Sequence, residues 1–405
     1  MTKPRRRIIY VWNYLNWGGA QIYLLAIMKE AMADWDVVVA MPIGSSPDIL
    51  NFIEQIGVEC ELIDACIDND PAPTIRRKLE RQWRRIRAEI MTFRYLRKFD
   101  LSRSILHIDF APWQSWIFYV ALSFRRSNVF VTLHNAPETK ARWRRLVWKV
   151  RMQILSRVKG FHIFASNQYT KNAIRPFVSP VFWKNMAVTY TCVDPRQITR
   201  TLTSERNPKA LRKELGFGEE EFVVLCVGQF IDRKGRWVFL DAAKILENDV
   251  KLKFIWLGPV PPIEEDSRRI SEYQLGDNFR FIRSVEVGST REDVLNFIRI
   301  GDVFALPSFV EGLPIALLEA MALGVPSIST NVNAIPEALR DRETGLLIEP
   351  GDPGGLADAI MAIKNDAFMR KNLGRAGSEF VLEHFDERVA SQIAMSKYKE
   401  CFDDV

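Results

Sequence analysis

The chain has 405 residues, 47% of them hydrophobic and 26% charged, so it is a globular chain long enough for about two domains and not a disordered or fibrous one. No stretch approaches the roughly 20 apolar residues that cross a bilayer, and the five scattered cysteines, with no C-x-x-C pair, suit neither a disulfide framework nor a zinc site. The net charge of +6 conceals a split, 31 Lys/Arg against 16 Asp/Glu in residues 1–200 and 25 against 34 in 201–405, which predicts two domains with different partners.

The basic residues 1–7 run straight into a short apolar strand over 8–12, too brief for a signal-peptide core, so a cytoplasmic chain is expected. The turn Asn16-Trp17-Gly18-Gly19 leads into a helical pattern over 20–32 and a second strand over 37–41. Strands over 105–108, 129–133, 160–165 and 187–191 alternate with helical segments, a βαβ series that implies a parallel sheet covered on both faces. Residues 116–124 read as a buried helix or strand. After a polar, Pro-containing stretch near 194–208 the grammar restarts, with strands over 222–227, 252–257, 279–282, 303–306 and 327–330. A helix over 237–246 and surface helices over 356–363, 370–380 and 388–402 complete this half. The expected division is 1–195, 196–385 and a closing helix over 386–405.

Within the first half, Leu79, Trp83, Ile86, Ile90 and Phe93 recur at spacings of 4, 3, 4 and 3, one apolar stripe of a helix over 75–98 whose other faces carry ten Lys/Arg. A second Arg/Trp-rich stretch covers 140–159. Such helices lie on anionic membrane surfaces, or pack within a domain with a solvated basic face. Both readings stay open, and the first places the chain peripherally on the inner face of a membrane.

The chemistry concentrates in Glu311-Gly312-Leu313-Pro314-Ile315-Ala-Leu-Leu-Glu319-Ala-Met-Ala-Leu-Gly324-Val-Pro326, after the strand over 303–306. Pro314 suits a helix's first turn, whose free N–H groups and positive dipole end attract an anion or sugar oxygens. Glu311 precedes that helix and Glu319 lies inside it, two carboxylates able to accept hydroxyl donors from one ligand. Upstream, Gly228-Gln229-Phe-Ile-Asp-Arg233-Lys234-Gly235 places two cations behind a glycine that admits a ligand close to the backbone. No well-placed D-x-D occurs and the four histidines are isolated, so no metal and no cofactor are expected, and Arg233 and Lys234 would neutralise a departing diphosphate instead. Gly18 and Gly19, between a strand and a helix, suit a phosphate near the backbone, with Ala20 and Gln21 beside them. His134 stands at the carboxyl end of a strand, where a histidine is as readily structural as functional, while Asn135 beside it, Gln21, and His107 and Asp109 near another strand end are acceptor-side candidates.

The E-G-L-P-x-x-x-L-E-A-M-A-x-G-x-P run resembles the signature of retaining glycosyltransferase family 4, and further segments agree in order from about Gly18 onward. The resemblance implies the GT-B fold: two Rossmann-like domains, each a parallel sheet flanked by helices, facing across a cleft. It implies that Glu311 contacts the sugar of a nucleotide-sugar donor and Glu319 holds the ribose hydroxyls. His134 would lie against the donor sugar, and the last helix would cross back onto the N-terminal domain. The implied activity is metal-independent, retaining transfer of a hexose to a glycan or lipid-linked acceptor, as in surface polysaccharide assembly. Two positions depart from the family pattern: Gln229 where an Arg is usual, and Asn333-Ala334 where a Gly pair is frequent. An epimerase or phosphorylase of the same fold, or a silent scaffold binding membrane or nucleic acid through its basic half, are the alternatives; the Glu311/Glu319 pair disfavours the scaffold, and no nucleic-acid partner is expected.

Overall fold

The structure is a computed structural model, and it describes residues 6–13, 15, 19–67, 74–135, 141–288 and 290–403. The chain divides into unit 1, residues 1–190 with 388–405, and unit 2, residues 191–387.

Unit 1 is built on seven strands: β1 Arg7–Val11, β2 Asp36–Pro42, β3 Glu59–Ile63, β4 Ser104–Ile108, β5 Asn128–Leu133, β6 Phe161–Ala165 and β7 Ala187–Val188. They are ordered β3-β2-β1-β4-β5-β6-β7, and every pairing is parallel. Because β1, β2 and β4 are covered on both faces, they read as continuous apolar runs. Helices α1 Gly19–Ala31 and α2 Pro47–Gln55, with the Glu387–Asp403 helix, cover one face, where Tyr23, Met28, Ile53 and Tyr398 pack on Tyr10, Val39 and Phe130. Helices α3 Ile75–Leu96, α4 Trp116–Ser123 and α5 Arg142–Leu155 cover the other, setting Tyr95, Leu96, Phe118, Leu122, Met152 and Leu155 on Ile9, Leu106 and Val131.

Unit 2 repeats the plan with β8 Phe222–Val227, β9 Leu252–Gly258, β10 Phe279–Arg283, β11 Val303–Leu306, β12 Ser327–Thr330 and β13 Leu346–Ile348, ordered β10-β9-β8-β11-β12-β13 and again all parallel. Both sheets are Rossmann-like. Strand order reverses between β1 and β4 in unit 1 and between β8 and β11 in unit 2.

Two strands were not expected from the sequence. β3 is a half-exposed edge strand carrying Glu59 and Glu61, so it has no apolar run to announce it. β13 is three residues long inside what reads as a turn. The segment over 116–124 is helical, and the strand expected over 187–191 shortens to Ala187–Val188.

Candidate functional site

In open α/β sheets, ligands gather outside the carboxyl ends of the strands where their order reverses. In unit 2 that place lies beyond β8 and β11, and the two segments singled out by sequence follow these two strands.

After β8 the chain passes Gly228 and a single 3-10 turn, Asp232–Lys234, to Gly235. Gly235 has φ of 74°, and a Cβ there would lie 1.8 Å from the carbonyl oxygen of Pro307. No side chain fits, so glycine is what allows the two loops to touch backbone to backbone. The Phe309 N–H then donates to the Arg233 carbonyl at 2.9 Å. Segments 228–235 and 307–311 are thereby joined into one piece.

The loop after β11 is also held from β12. Ser329 Oγ donates to the Leu306 carbonyl at 2.7 Å, and Thr330 Oγ1 to the Ser308 carbonyl at 2.6 Å. Ser308 in turn donates from Oγ to Glu311 Oε1 at 2.8 Å. The Glu311 N–H donates to Asn333 Oδ1 at 3.1 Å. Asn333 has φ of 47°, a left-handed conformation that asparagine tolerates best after glycine. Asparagine here thus holds a backbone conformation that also suits glycine, and its side chain supplies an acceptor. Gln229, the other departure from the family pattern, is exposed.

Around the Glu311 carboxylate, Lys234 Nζ stands 2.6 Å from Oε1 and Arg233 Nη1 stands 3.3 Å from Oε2, with Arg233 also donating to the Val310 carbonyl at 3.0 Å. Glu311 is buried and Lys234 nearly so, whereas the Arg233 side chain is 43% exposed. Two cations on one carboxylate leave a net positive charge, with Arg233 on its open side.

Pro314 is the N-cap of the Ile315–Ala322 helix and not a residue of its first turn. One turn further in, Glu319 is buried, with Oε1 paired to the Arg291 guanidinium. Its Oε2 has no hydrogen-bond partner among the described residues. Arg291 opens the Arg291–Ile298 helix, where the dipole disfavours a cation, and burial lowers its pKa to about 10, so it stays charged at neutral pH. A buried acceptor with a free lone pair is the kind of group a ligand hydroxyl satisfies. Arg291, Ser308 and Asn333 were not assigned these roles by sequence reasoning. Only the Asn333 signal was visible, as a break in the family pattern; Arg291 and Ser308 belong to no motif.

In unit 1, Asp109 directly follows β4 at the point of strand reversal, and burial pushes its pKa up to about 7. His134 directly follows the neighbouring β5, edge-on to Tyr23 at 5.4 Å between ring centroids. Burial lowers its pKa to about 4, and its Nε2 has no partner among the described residues. Asn135 beside it is exposed. His107 does not fit the acceptor-side expectation. It is buried mid-sheet, its Nδ1 2.5 Å from Tyr398 Oη and its Nε2 2.9 Å from Thr132 Oγ1, which leaves no ring nitrogen for a ligand. Gly19 opens α1, while Gly18 and the side chain of Gln21 lie outside the described residues. Among the described residues, no three His, Cys, Asp or Glu side chains gather as metal ligands do, and no helix is long and apolar enough to cross a membrane.

Two Rossmann-like parallel sheets, with a cation-rich site beyond the strand reversal of the second, define a GT-B protein. The chain superposes with a TM-score of 0.76 on the crystal structure of Anabaena HepE in complex with UDP and glucose, at 18% identity over 97% of this chain and 99% of that one. Residues 207–380 match the family model described as glycosyl transferases group 1, and this domain belongs to that family, as the Glu311–Pro326 motif implied. N-acetyl-alpha-D-glucosaminyl L-malate synthase of Bacillus anthracis is 28% identical over 55% of this chain and 55% of its own length. Phosphatidyl-myo-inositol mannosyltransferase of Mycobacterium leprae is 33% identical over 42% and 44%. The chain spans about half the length of the curated relatives it matches.

Proposed function

We propose that the protein is a retaining glycosyltransferase that moves a hexose from a nucleotide-diphosphate-sugar to a hydroxyl of a glycan or lipid-linked acceptor, without a metal ion, in surface polysaccharide or glycoconjugate assembly at an anionic membrane surface. The observation that carries this reading is the convergence of Lys234 and Arg233 on Glu311, in the loop that leads into the helix of Glu319, whose Oε2 has no partner among the described residues. The relatives that transfer sugars, and the UDP and glucose bound by HepE, support it.

The chain's groups supply three things. Arg233, Lys234 and the amides at the start of the Ile315–Ala322 helix stabilise the charge that grows on the diphosphate as its bond to the anomeric carbon breaks. Glu319 Oε2 accepts from a ribose hydroxyl and fixes the nucleoside. Glu311, anchored by Ser308 and Asn333, is positioned for the sugar hydroxyls. The acceptor oxygen bonds to the anomeric carbon on the face the phosphate leaves, and its proton passes to the departing phosphate oxygen, so configuration is retained. His134 is a neutral imidazole at pH 7, suited to hydrogen bonding and not to carrying charge.

A thermal-shift panel of UDP-, GDP-, ADP- and TDP-sugars in the presence of a chelator tests this, because a ligand of the folded state raises the melting temperature. One nucleotide class is expected to stabilise the wild type. Glu319→Ala should abolish the shift and Lys234→Ala weaken it. Inertness toward every donor until manganese or magnesium is added would overturn the metal-independent mechanism, and unchanged shifts in both variants would overturn the site.

A further inference from the structure

Four of the five residues of the apolar stripe on α3, Leu79, Trp83, Ile86 and Ile90, point away from the protein, while Phe93 packs against the core. At about 100° per residue, Leu79, Trp83, Ile86 and Ile90 project roughly 160–220° from Ala88, on the side of the helix opposite the one buried by Ala88, Thr92 and Tyr95. Trp83 is 64% exposed and Leu79 66%. Only the end of α3 packs on the sheet; along 75–87 every residue except Glu80 and Arg85 is exposed.

Helix α5 repeats the arrangement. Trp143, Leu146, Val150 and Ile154 are exposed on the side roughly opposite Met152 and Leu155, which are buried. On α4, Ile117 and the C-cap Phe124 also face outward, and Phe124 is 83% exposed. The three helices cover the same face of the unit 1 sheet and are tied to one another. Arg85 of α3 donates to Gln114 Oε1 ahead of α4 at 3.2 Å, Arg151 of α5 donates to the Trp113 carbonyl at 3.0 Å, and the Trp113 and Trp148 rings lie 5.5 Å apart. Their outward apolar side chains therefore share one side of unit 1. The same helices carry the charge: eight Lys/Arg against two Asp/Glu on α3, and five against none on α5.

Exposed tryptophans and aliphatics flanked by Arg and Lys match a bilayer interface, where rings enter the headgroup level and long cationic side chains reach lipid phosphates. We infer that the outer side of α3, α4 and α5 is a docking face for an anionic lipid surface, entered by Trp83, Ile86, Phe124, Trp143 and Leu146. A second copy of the chain fits less well, because two such faces would bring like charge against like charge. This deepens the proposed membrane setting but rests on unit 1 alone, independent of any transfer reaction.

Flotation of the full chain with vesicles of phosphatidylcholine, with and without an equal part of phosphatidylglycerol, tests it. Binding is expected only to the anionic vesicles, with a blue shift of tryptophan emission, and is expected to fall at about 0.5 M salt as charges are screened. Trp83→Ala combined with Trp143→Ala should weaken it about tenfold, in line with the lost apolar burial, with an unchanged circular dichroism spectrum. Equal binding to neutral vesicles, no binding to either, or wild-type binding by the double variant would each overturn the inference. So would self-association in sedimentation that the double variant abolishes while vesicles are ignored. Donor thermal shifts, unaffected by these two substitutions, keep failure of the docking face distinct from failure of the transferase reading.

Discussion

Unit 2 buries charge and pairs it, whereas unit 1 buries titratable rings and keeps them neutral. In unit 2 the buried carboxylates of Glu311 and Glu319 each meet a cation, Lys234 or Arg291. In unit 1, burial lowers the pKa of His107 to about 3 and of His134 and His162 to about 4. The lesson is that one sheet plan can carry two kinds of polar interior, one sensitive to the loss of a partner and the other to protons.

Acid offers the largest expected effect that could break this contrast. The three imidazoles have folded pKa values below the ordinary 6.5, so between that value and about 4 the unfolded chain binds protons that the folded unit refuses. Their contribution is fully present above pH 6.5 and disappears as pH falls through the folded values, a loss of several kcal/mol in all, at ~1.4 kcal/mol per pKa unit. Asp109 works in the opposite sense: its raised pKa means its contribution is present at low pH and lost as pH rises through about 7. Hydrogen exchange at pH 7 and pH 4.5 should show protection falling further in unit 1 than in unit 2. An equal fall in both would erase the distinction.

Next in size is the orphaned cation. Glu319→Ala leaves the Arg291 guanidinium inside unit 2 without its carboxylate and should cost about 3–5 kcal/mol in urea unfolding. Joint replacement, Glu319→Leu with Arg291→Met, should recover much of that loss, because an apolar pair needs no partner. A single variant no less stable than wild type would show that the pair is not the support it is taken to be. The smallest effect sharpens the picture at the loop. Asn333→Ala loses the acceptor for the Glu311 N–H and strains a left-handed backbone, costing about 1–3 kcal/mol, while Asn333→Gly should restore the backbone share alone.

How much could be read in advance also differed between the units. β8, β11 and β12 appear with the bounds expected of them, because each is a short apolar run bracketed by polar or glycine-containing loops. The cluster around Glu311 was visible in sequence for a local reason: Arg233 and Lys234 adjoin, and Glu311 and Glu319 lie within one strand-loop-helix passage. Arg291 was not legible, since its pairing with Glu319 spans 28 positions and follows no spacing rule. His107 was misread because its partner, Tyr398, lies 291 positions away, and a histidine at a strand end looks available until that phenol is found. Periodicity marked the stripe of α3 correctly but carried no information on whether it turned toward the sheet or away from it.

The reach of Tyr398 bears on how the chain comes into being. Its hydroxyl meets His107, and its ring packs against Phe130 and Phe164, so the first sheet's interior is finished by a segment synthesised after all of unit 2. On the ribosome, the later domain has every one of its strands before the earlier one can close its core. Unit 1 must therefore wait with aromatic surface uncovered, held for its last helix while unit 2 is already able to fold.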